Sequence, residues 1–305
     1  MSRIEEKVVL DVRNLSVALP EGSDRRYAVK CLDLQLRENE ILCLVGESGS
    51  GKTLTALAIM GLLPVPRVYS SGGEILLHGE DLLQATPQRL RGIRGNKISM
   101  IFQEAMSALN PLMTIGEQIG EAVCIHTSTP RKERRLRILE LLDDVKLPDP
   151  ESIISAYPHQ LSGGERQRAM IAMALILNPL VLIADEPTTA LDVTTEARIL
   201  ELIKEVQRKY NTAVLFISHD FGVVAEVANR IAVMKEGKLI EFGESDQVMI
   251  SPQHPYTKSL IGAVPGLERK KCTVSRDSKI VLATKDLSKR FQSGGGILGG
   301  GRTIH

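Results

Sequence analysis

The chain has 305 residues, of which 43% are hydrophobic and 25% are charged, and its formal net charge is +1. This length suits one large globular domain or two smaller ones, while the near-neutral charge and scarcity of aromatic residues argue against nucleic-acid binding. The four cysteines are scattered without a CxxC pair, which argues against a disulfide framework and against a zinc site. No apolar run is long and unbroken enough to predict a membrane span.

Apolar runs alternate with helical patterns through most of the chain. ILCLVG (41–46) predicts a buried strand, and TLTALAIMGLL (53–63) predicts the helix that follows it. LVLIAD (180–185) and AVLFIS (213–218) predict two more buried strands, with an amphipathic helix over 197–210 between them. This alternation indicates a parallel sheet and an α/β fold, in which ligands bind at the carboxyl ends of the strands.

The last third of the chain has a different character. IAVMKEGKLIEFG (231–243) holds two alternating segments around Glu236-Gly237, which predicts a hairpin. The stretch 266–278 is polar and unpatterned, as is typical of a linker, and SGGGILGGG (293–301) is typical of a flexible loop.

The segment GESGSGKT matches the phosphate-binding pattern G-x-x-x-x-G-K-[ST]. It comprises Gly46, Glu47, Ser48, Gly49, Ser50, Gly51, Lys52 and Thr53. Glycines let backbone N–H groups point at phosphate oxygens, and the following helix offers its positive end to the same anion. Lys52 would reach the β- and γ-phosphates, and the Thr53 hydroxyl would ligate Mg²⁺. A structural glycine turn is the alternative, but the predicted strand before and helix after favour a nucleotide site.

The predicted strand LVLIADE ends in two carboxylates, Asp185 and Glu186. Two charges at the end of a buried strand are costly unless a cation or substrate uses them. Asp185 is suited to hold Mg²⁺ through its water shell, and Glu186 is suited to polarise an attacking water. The alternative is a solvated acidic turn.

A histidine follows the next predicted strand, in ISHD. Ser218, His219 and Asp220 have the composition of a hydrolase triad, but consecutive strand residues point to opposite faces and cannot form that geometry. We expect His219 to donate to the γ-phosphate from the ligand end of the sheet. Taken alone, it would more simply be a structural histidine.

LSGGERQR places Ser162, Gly163 and Gly164 just before a long helical stretch. This is a second potential anion cradle at a helix N-terminus. Because one ATP needs only one phosphate loop, we expect the second cradle to contact an ATP that is bound by another domain. The alternative is an ordinary N-cap followed by flexible glycines.

Together these segments resemble the ABC transporter nucleotide-binding domains. GESGSGKT, Gln103 in MIFQEAMSALNPLMTIGEQI, LSGGERQR, LIADEPTTALD and FISHD stand in the order of that family. Segments 158–175, 184–200 and 251–267 resemble the oligopeptide/dipeptide importer subfamily. The segment LRGIRGNKISMIFQE (90–104), with LSGGE, is similar to the ATP-binding subunit of microcin C-type peptide importers.

The resemblance implies the fold class and the domain organisation. The fold would be an α/β P-loop NTPase of the ABC type, with an antiparallel β subdomain and a helical subdomain at about 104–178. A domain over 1–265 would be followed by a linker (266–279) and the truncated start of a second ABC domain (280–305). IVLATKDLSKRF (280–291) indeed aligns without a gap with the opening strand VVLDVRNLSVAL. A single-domain subunit with an unusual tail is the alternative.

The resemblance also implies roles for individual residues. Gln103 would sense Mg²⁺ and the attacking water, and the stretch after it, about 104–119, would receive a coupling helix of the membrane subunits. Ser162 and Gly164 would contact the γ-phosphate held by the opposing domain, and Asp192 would lie at the dimer seam.

The sequence differs from the family pattern at two places, the position that stacks on adenine and the C-terminal cysteine cluster. The family's adenine-stacking aromatic is replaced by Leu19, so Tyr27 and Val29 are candidate substitutes. Thr55 is a further predicted nucleotide contact. Only Cys272 stands where some relatives carry an iron–sulfur cysteine cluster, so no cluster is predicted.

The function implied is that of an ATP-binding and ATP-hydrolysing subunit that energises import of oligopeptides, dipeptides or microcin C-like peptides. ATP and Mg²⁺ are the expected cofactors. The expected partners are a second ABC domain (fused or as a homodimer), two membrane permease subunits and a periplasmic peptide-binding protein, with no nucleic acid. The subunit would be peripheral, at the cytoplasmic face of the bacterial inner membrane. A soluble ABC ATPase acting in translation, or a regulator, is the alternative.

Overall fold

The computed structural model divides the chain into two compact units, Met1–Val264 and Pro265–His305. The residues that it describes are 7–103, 108–189, 191–264, 283–285, 291–292 and 303–304. In the second unit, Phe291–Gln292 and Thr303–Ile304 pair as short antiparallel strands. The predicted linker and most of the predicted second-domain start lie outside the described residues, so both stay predictions.

The strands and helices of the first unit alternate much as the sequence predicts. The strands are β1 Val8–Ala18, β2 Tyr27–Arg37, β3 Ile41–Val45, β4 Tyr69–Leu77, β5 Glu80–Asp81, β6 Ile98–Ile101, β7 Val181–Asp185, β8 Ala213–Ser218, β9 Arg230–Lys235 and β10 Lys238–Glu244. The helices are α1 Lys52–Ile59, α2 Pro87–Ile93, α3 Ile115–His126, α4 Arg131–Asp144, α5 Pro150–Ile153, α6 Gly163–Leu175, α7 Val193–Tyr210, α8 Phe221–Val227, α9 Ser245–Ile250 and α10 Pro255–Gly262.

Helix α1 is shorter than the predicted 53–63. Its last turn closes when Leu62 N–H donates to the Leu57 carbonyl at 2.7 Å and Gly61 N–H donates to the Ala58 carbonyl at 3.0 Å. Gly61 has a φ of 63°, the left-handed conformation that commonly ends a helix. The apolar pattern continues past this point because Leu63 packs against the core from the loop.

A central sheet with the strand order β10-β9-β3-β8-β7-β6 positions the site. The strands from β9 to β6 run parallel, and β10 pairs antiparallel with β9 in the hairpin predicted at Glu236-Gly237. Strands β3, β6, β7 and β8 are buried along their whole length, as parallel strands covered on both faces are. The loops after β3, β7 and β8 therefore meet at one edge, and they carry the phosphate-loop pattern, the carboxylate pair and His219.

A second sheet, β2-β1-β4-β5, is antiparallel and confirms the predicted β subdomain. Its strand β2 alternates, with Leu32, Leu34 and Leu36 buried and the residues between them exposed. The buried side chains join one hydrophobic cluster with Ala56 and Ile59 of α1, so this sheet covers the face of the central sheet on which α1 lies.

Helices α3 to α6 lie between β6 and β7 in the chain and form the predicted helical part. A reciprocal capping box begins α3, in which Thr114 and Glu117 each bond to the other's backbone N–H. Helix α3 also approaches its neighbours closely, because a Cβ at Gly116 would lie 2.6 Å from the carbonyl oxygen of Ile154. The first predicted residues of this subdomain, 104–107, lie outside the described residues.

A buried ion pair ties the start of β3 to β9. The Arg230 guanidinium bonds both carboxylate oxygens of Glu40, with Nη2 at 2.9 Å from Oε2, and both side chains are only 7% exposed. Nη2 also donates to the Gln35 carbonyl at 2.7 Å, and the Phe242 ring centroid lies 4.8 Å from the guanidinium carbon. Neither charge is left without a hydrogen-bond partner, as buried ions require.

Candidate active site

Glycine is sterically required at two positions of the loop between β3 and α1. A Cβ on Gly46 would lie 2.2 Å from the Met234 carbonyl oxygen, and one on Gly51 would lie 2.5 Å from the Ala28 carbonyl oxygen. Gly51 also has a φ of 108° and begins α1 without any side-chain cap bond. The first amides of α1 are therefore left for a ligand, as an anion site at a helix start needs.

Lys52 reaches back over the loop that precedes it. Its ammonium Nζ donates to the carbonyl oxygens of Gly46 at 2.7 Å and Glu47 at 3.0 Å, and the residue is only 5% exposed. Burial lowers the pKa of Lys52, while the nearby carboxylates Glu186 and Asp185 act in the opposite direction. The Lys52 ammonium is thus buried and fixed against the first residues of the loop.

Asp185 and Thr53 meet at the carboxyl end of β7. The Thr53 hydroxyl donates to Asp185 Oδ1 at 3.3 Å, and Asp185 is 2% exposed. Burial raises the pKa of Asp185, against the smaller effects of the Thr53 bond and the Lys52 charge. A hydroxyl and a carboxylate fit Mg²⁺, which takes one or two protein oxygens beside phosphate and water.

Glu186 accepts hydrogen bonds from two side chains and lies close to a third. Gln103 Nε2 and the Thr189 hydroxyl each lie 3.0 Å from Oε2, and His219 Nδ1 lies 3.2 Å from Oε1. The backbone of Glu186 has a φ of 47°, a strained conformation for this residue type, and its side chain is 13% exposed. The sequence predicts Gln103, Glu186 and His219 as site residues but gives Thr189 no role.

The expectation that His219 donates to a γ-phosphate stays a prediction. His219 contacts Glu186 in this structure, and its side chain is 58% exposed. The Ser218 hydroxyl accepts from the backbone N–H of Asp220 at 3.0 Å, so these three residues form no triad, in agreement with the argument from strand alternation.

Ser162 is the N-cap of α6, and its predicted contact with an opposing domain stays a prediction. The Ser162 hydroxyl donates to Glu165 Oε2 at 2.7 Å, and Glu165 N–H returns a bond to that hydroxyl at 3.4 Å. The hydroxyl bond lowers the pKa of Glu165. Ser162 and Gly163 are exposed, and within the described part of the chain this segment makes no hydrogen bond to the phosphate loop.

Asp192 caps helix α7 and lengthens it beyond the predicted start at 197. Its carboxylate accepts the backbone N–H groups of Thr194 and Thr195, each at 3.1 Å, and also their hydroxyls. Bonds from the two hydroxyls first, and then from the amides, hold the pKa of Asp192 well below its usual range. The side chain is exposed, so its predicted place at a dimer seam stays a prediction.

Thr55, a predicted nucleotide contact, lies in the first turn of α1, and its role stays a prediction. It is fully buried, and its hydroxyl donates to the Gly51 carbonyl at 3.0 Å, because position 55 lies on the side of α1 that faces the protein core.

Tyr27 is half-buried at the start of β2, with the Arg26 guanidinium carbon 5.3 Å from its ring centroid. Leu19, at the usual aromatic position, packs against the core. Arg25, which sequence reasoning missed, donates to the carbonyl of Gly49.

Comparison with known proteins decides the family. Residues 29–189 match the family model described as "ABC transporter". The chain belongs to the ABC transporter family. Residues 240–294 match a second model, "Oligopeptide/dipeptide transporter, C-terminal region". The resemblance inferred from the sequence is confirmed, and the chain is an ATP-binding and ATP-hydrolysing cassette of this family.

Two relatives show how much of the chain is shared. The dipeptide transport ATP-binding protein DppD of Bacillus subtilis (strain 168) is 50% identical over 260 residues, which cover 85% of this chain and 78% of DppD. The peptidoglycan transport ATP-binding protein YejF of Agrobacterium fabrum (strain C58) is 45% identical over 298 residues. That match covers 98% of this chain but 54% of YejF, so the chain spans about half the length of that relative.

Solved structures confirm the predicted fold class. Two dimeric structures of the bacterial ABC transporter cassette MJ0796, one of them a post-hydrolysis state bound to ADP and Pi, each superpose with a TM-score of 0.68. They are 30% and 29% identical to this chain and cover 77% of it and 98% of the MJ0796 chain. Within the residues described, no helix combines the length and apolarity that a bilayer crossing demands.

Proposed function

We propose that this chain binds ATP with Mg²⁺ and uses its hydrolysis to drive import of peptides through an ABC transporter. The observation that carries this proposal is the carboxylate of Glu186, which accepts bonds from Gln103 and Thr189, contacts His219, and stands next to the Asp185–Thr53 oxygens. The peptide class is supported by the match of residues 240–294 and by relatives named for dipeptide and peptidoglycan transport.

The loop from Gly46 to Thr53 would hold the triphosphate. Its two sterically required glycines would let the loop backbone come close to the phosphate oxygens. Lys52 would give up its contact with a backbone carbonyl and bind phosphate oxygens instead. Thr53, Asp185 and Gln103 are the proposed Mg²⁺ ligands, since Gln103 uses its amide nitrogen on Glu186 and presents its oxygen. Mg²⁺, when bound, supplies positive charge against the β- and γ-phosphate oxygens.

Glu186 would orient the water that attacks the γ-phosphorus in line. Gln103 and Thr189 keep its carboxylate in one orientation, which lowers the reorganisation needed at the moment of attack. His219 is exposed and can turn toward the γ-phosphate once nucleotide is present. Phosphoryl transfer of this kind depends on such positioning more than on covalent chemistry.

A second copy of the module would complete the pocket. Ser162 is exposed at the start of α6, where Ser162 and Gly164 would meet the γ-phosphate held by an opposing ABC domain. That domain would be a fused second half or a second chain. Two membrane permeases and a periplasmic peptide-binding protein would complete the importer, with this subunit peripheral at the cytoplasmic face of the bacterial inner membrane.

ATPase measurements over a range of protein concentrations test this proposal. We expect the purified chain to bind ATP with Mg²⁺ in calorimetry, and its specific activity to rise steeply with protein concentration as two chains share each site. Reconstitution with its membrane subunits should make turnover depend on added peptide. Absence of ATP binding would contradict the ATPase assignment, and peptide-independent turnover in the full assembly would contradict the substrate class.

A further inference from the structure

The tetrapeptide HPYT, residues 254–257, lies in the C-terminal region shared with oligopeptide and dipeptide transporters and has no assigned role in the site above. His254 Nδ1 accepts the Tyr256 N–H at 3.1 Å and caps α10, and Pro255 occupies the first helical position. Thr257 is fully buried. His254, Pro255 and Thr257 thus fix the first turn of α10, and this turn fixes the direction of the Tyr256 side chain.

The start of α10 is itself anchored to the central sheet. The Glu241 carboxylate on β10 accepts the backbone N–H of Gln253 at 2.6 Å and that of His254 at 3.0 Å. Because β10 is hydrogen-bonded to β9 along its length, this carboxylate fixes the helix start to the sheet that carries the phosphate loop. Tyr256 is therefore held on rigid elements rather than on a loop.

Tyr256 extends from this helix to the phosphate loop. Its hydroxyl accepts the backbone N–H of Glu47 at 3.2 Å. The ring packs against the hydrophobic core on one side and lies 4.7 Å from the Lys235 ammonium, measured to the ring centroid. Burial raises the pKa of Tyr256, so the hydroxyl stays protonated at neutral pH.

The bond falls on one particular peptide group of the loop. The N–H of Glu47 belongs to the same planar peptide unit as the carbonyl of Gly46, which accepts the Lys52 ammonium at 2.7 Å. Tyr256 and Lys52 therefore hold opposite edges of one rigid plane. The turn between β9 and β10 also supports the loop, because Gly237 N–H donates to the Ser50 carbonyl at 2.9 Å.

We propose that Tyr256 is a positioning residue for the nucleotide site, which sets the Gly46–Glu47 peptide plane and thereby the starting position of Lys52. The proposal rests on the ATP-binding function given above. It gives the HPYT segment a direct physical connection to the phosphate loop, through one hydroxyl and one backbone amide. Since Glu47 is exposed, water can hydrogen-bond its backbone N–H when the Tyr256 hydroxyl is removed. Removal of the hydroxyl should therefore change the position of the loop rather than the folding of the protein.

Tyr256→Phe tests this, because it removes the hydroxyl and keeps the ring against the core and Lys235. We expect the Kd and KM for ATP to rise about two- to ten-fold, the worth of one net hydrogen bond. The kcat at saturating ATP should stay within about two-fold, since Glu186 and its donors are untouched. Amide exchange at Glu47 in the nucleotide-free protein should accelerate by a similar factor.

Tyr210→Phe is the matched control. It also removes a bonded tyrosine hydroxyl, but one that donates to Asp144 and has no contact with the loop. ATP affinity and Glu47 exchange should both equal those of the wild type in this variant.

ATP affinity of Tyr256→Phe indistinguishable from the wild type would overturn the proposal, whatever the exchange rates. A fall in kcat with unchanged KM would overturn it as well. Failure of the wild-type chain itself to bind ATP is a separate result, which removes the proposed function first and this inference with it.

Discussion

Glu186→Gln is the substitution that most directly separates ATP binding from ATP hydrolysis. Glutamine has nearly the same shape, but it replaces one acceptor oxygen by an N–H₂ donor and removes the charge. The wild-type carboxylate accepts bonds from Gln103 and Thr189 on Oε2, and its Oε1 lies 3.2 Å from His219 Nδ1, so in the variant an N–H₂ group replaces one of these two oxygens. The variant thus loses both the basic carboxylate and part of its orientation.

The size of the effect follows from those two losses. A positioned general base contributes about 10²- to 10⁴-fold to a rate, which corresponds to roughly 3 to 5 kcal/mol of activation free energy. We expect turnover to fall by at least that factor. ATP affinity should be unchanged or slightly tighter, because a negative charge next to the triphosphate site is removed.

Single-turnover phosphate release and calorimetric ATP binding measure the two quantities separately. Glu38→Gln is the control, since it makes the same chemical change at an exposed residue that pairs with Lys7 at 3.0 Å. Its turnover and affinity should match the wild type. Turnover of Glu186→Gln within about ten-fold of wild type would refute the reasoning, because a base contributes more than that.

Two further substitutions test the loop and the fold. Gly51→Ala should weaken ATP binding by at least about ten-fold in calorimetry, because its Cβ would lie 2.5 Å from the Ala28 carbonyl oxygen, whereas Gly92→Ala, with open space around it, should bind normally. Arg230→Met should lower the free energy of unfolding in urea by about 3–5 kcal/mol, because it leaves Glu40 buried and charged. Replacing Glu40 by Met in the same protein should recover most of that loss, and a single-variant loss below about 1 kcal/mol would show that the pair is not effectively buried.

Much of the site could be predicted because its residues lie at the ends of buried strands. Parallel strands bring their carboxyl ends to one edge, so Lys52, Asp185 and His219 had to lie near one another once the strands were identified. The antiparallel sheet, in contrast, was expected only from family resemblance. Thr55 stays a predicted nucleotide contact, because helical phase determines which side chains of α1 face a ligand and the loop pattern does not specify that phase.

The sequence by itself determined the strands, the phosphate loop and the residue types of the catalytic edge, because these are local patterns of burial, glycine and charge. Only the tertiary structure decided which donors hold Glu186 and that Tyr256 supports the Gly46–Glu47 peptide. The physical reason is distance along the chain. Tyr256 and Glu47 are separated by 209 positions, and their contact depends on the anchoring of α10 to β10, which is joined to β3 through β9.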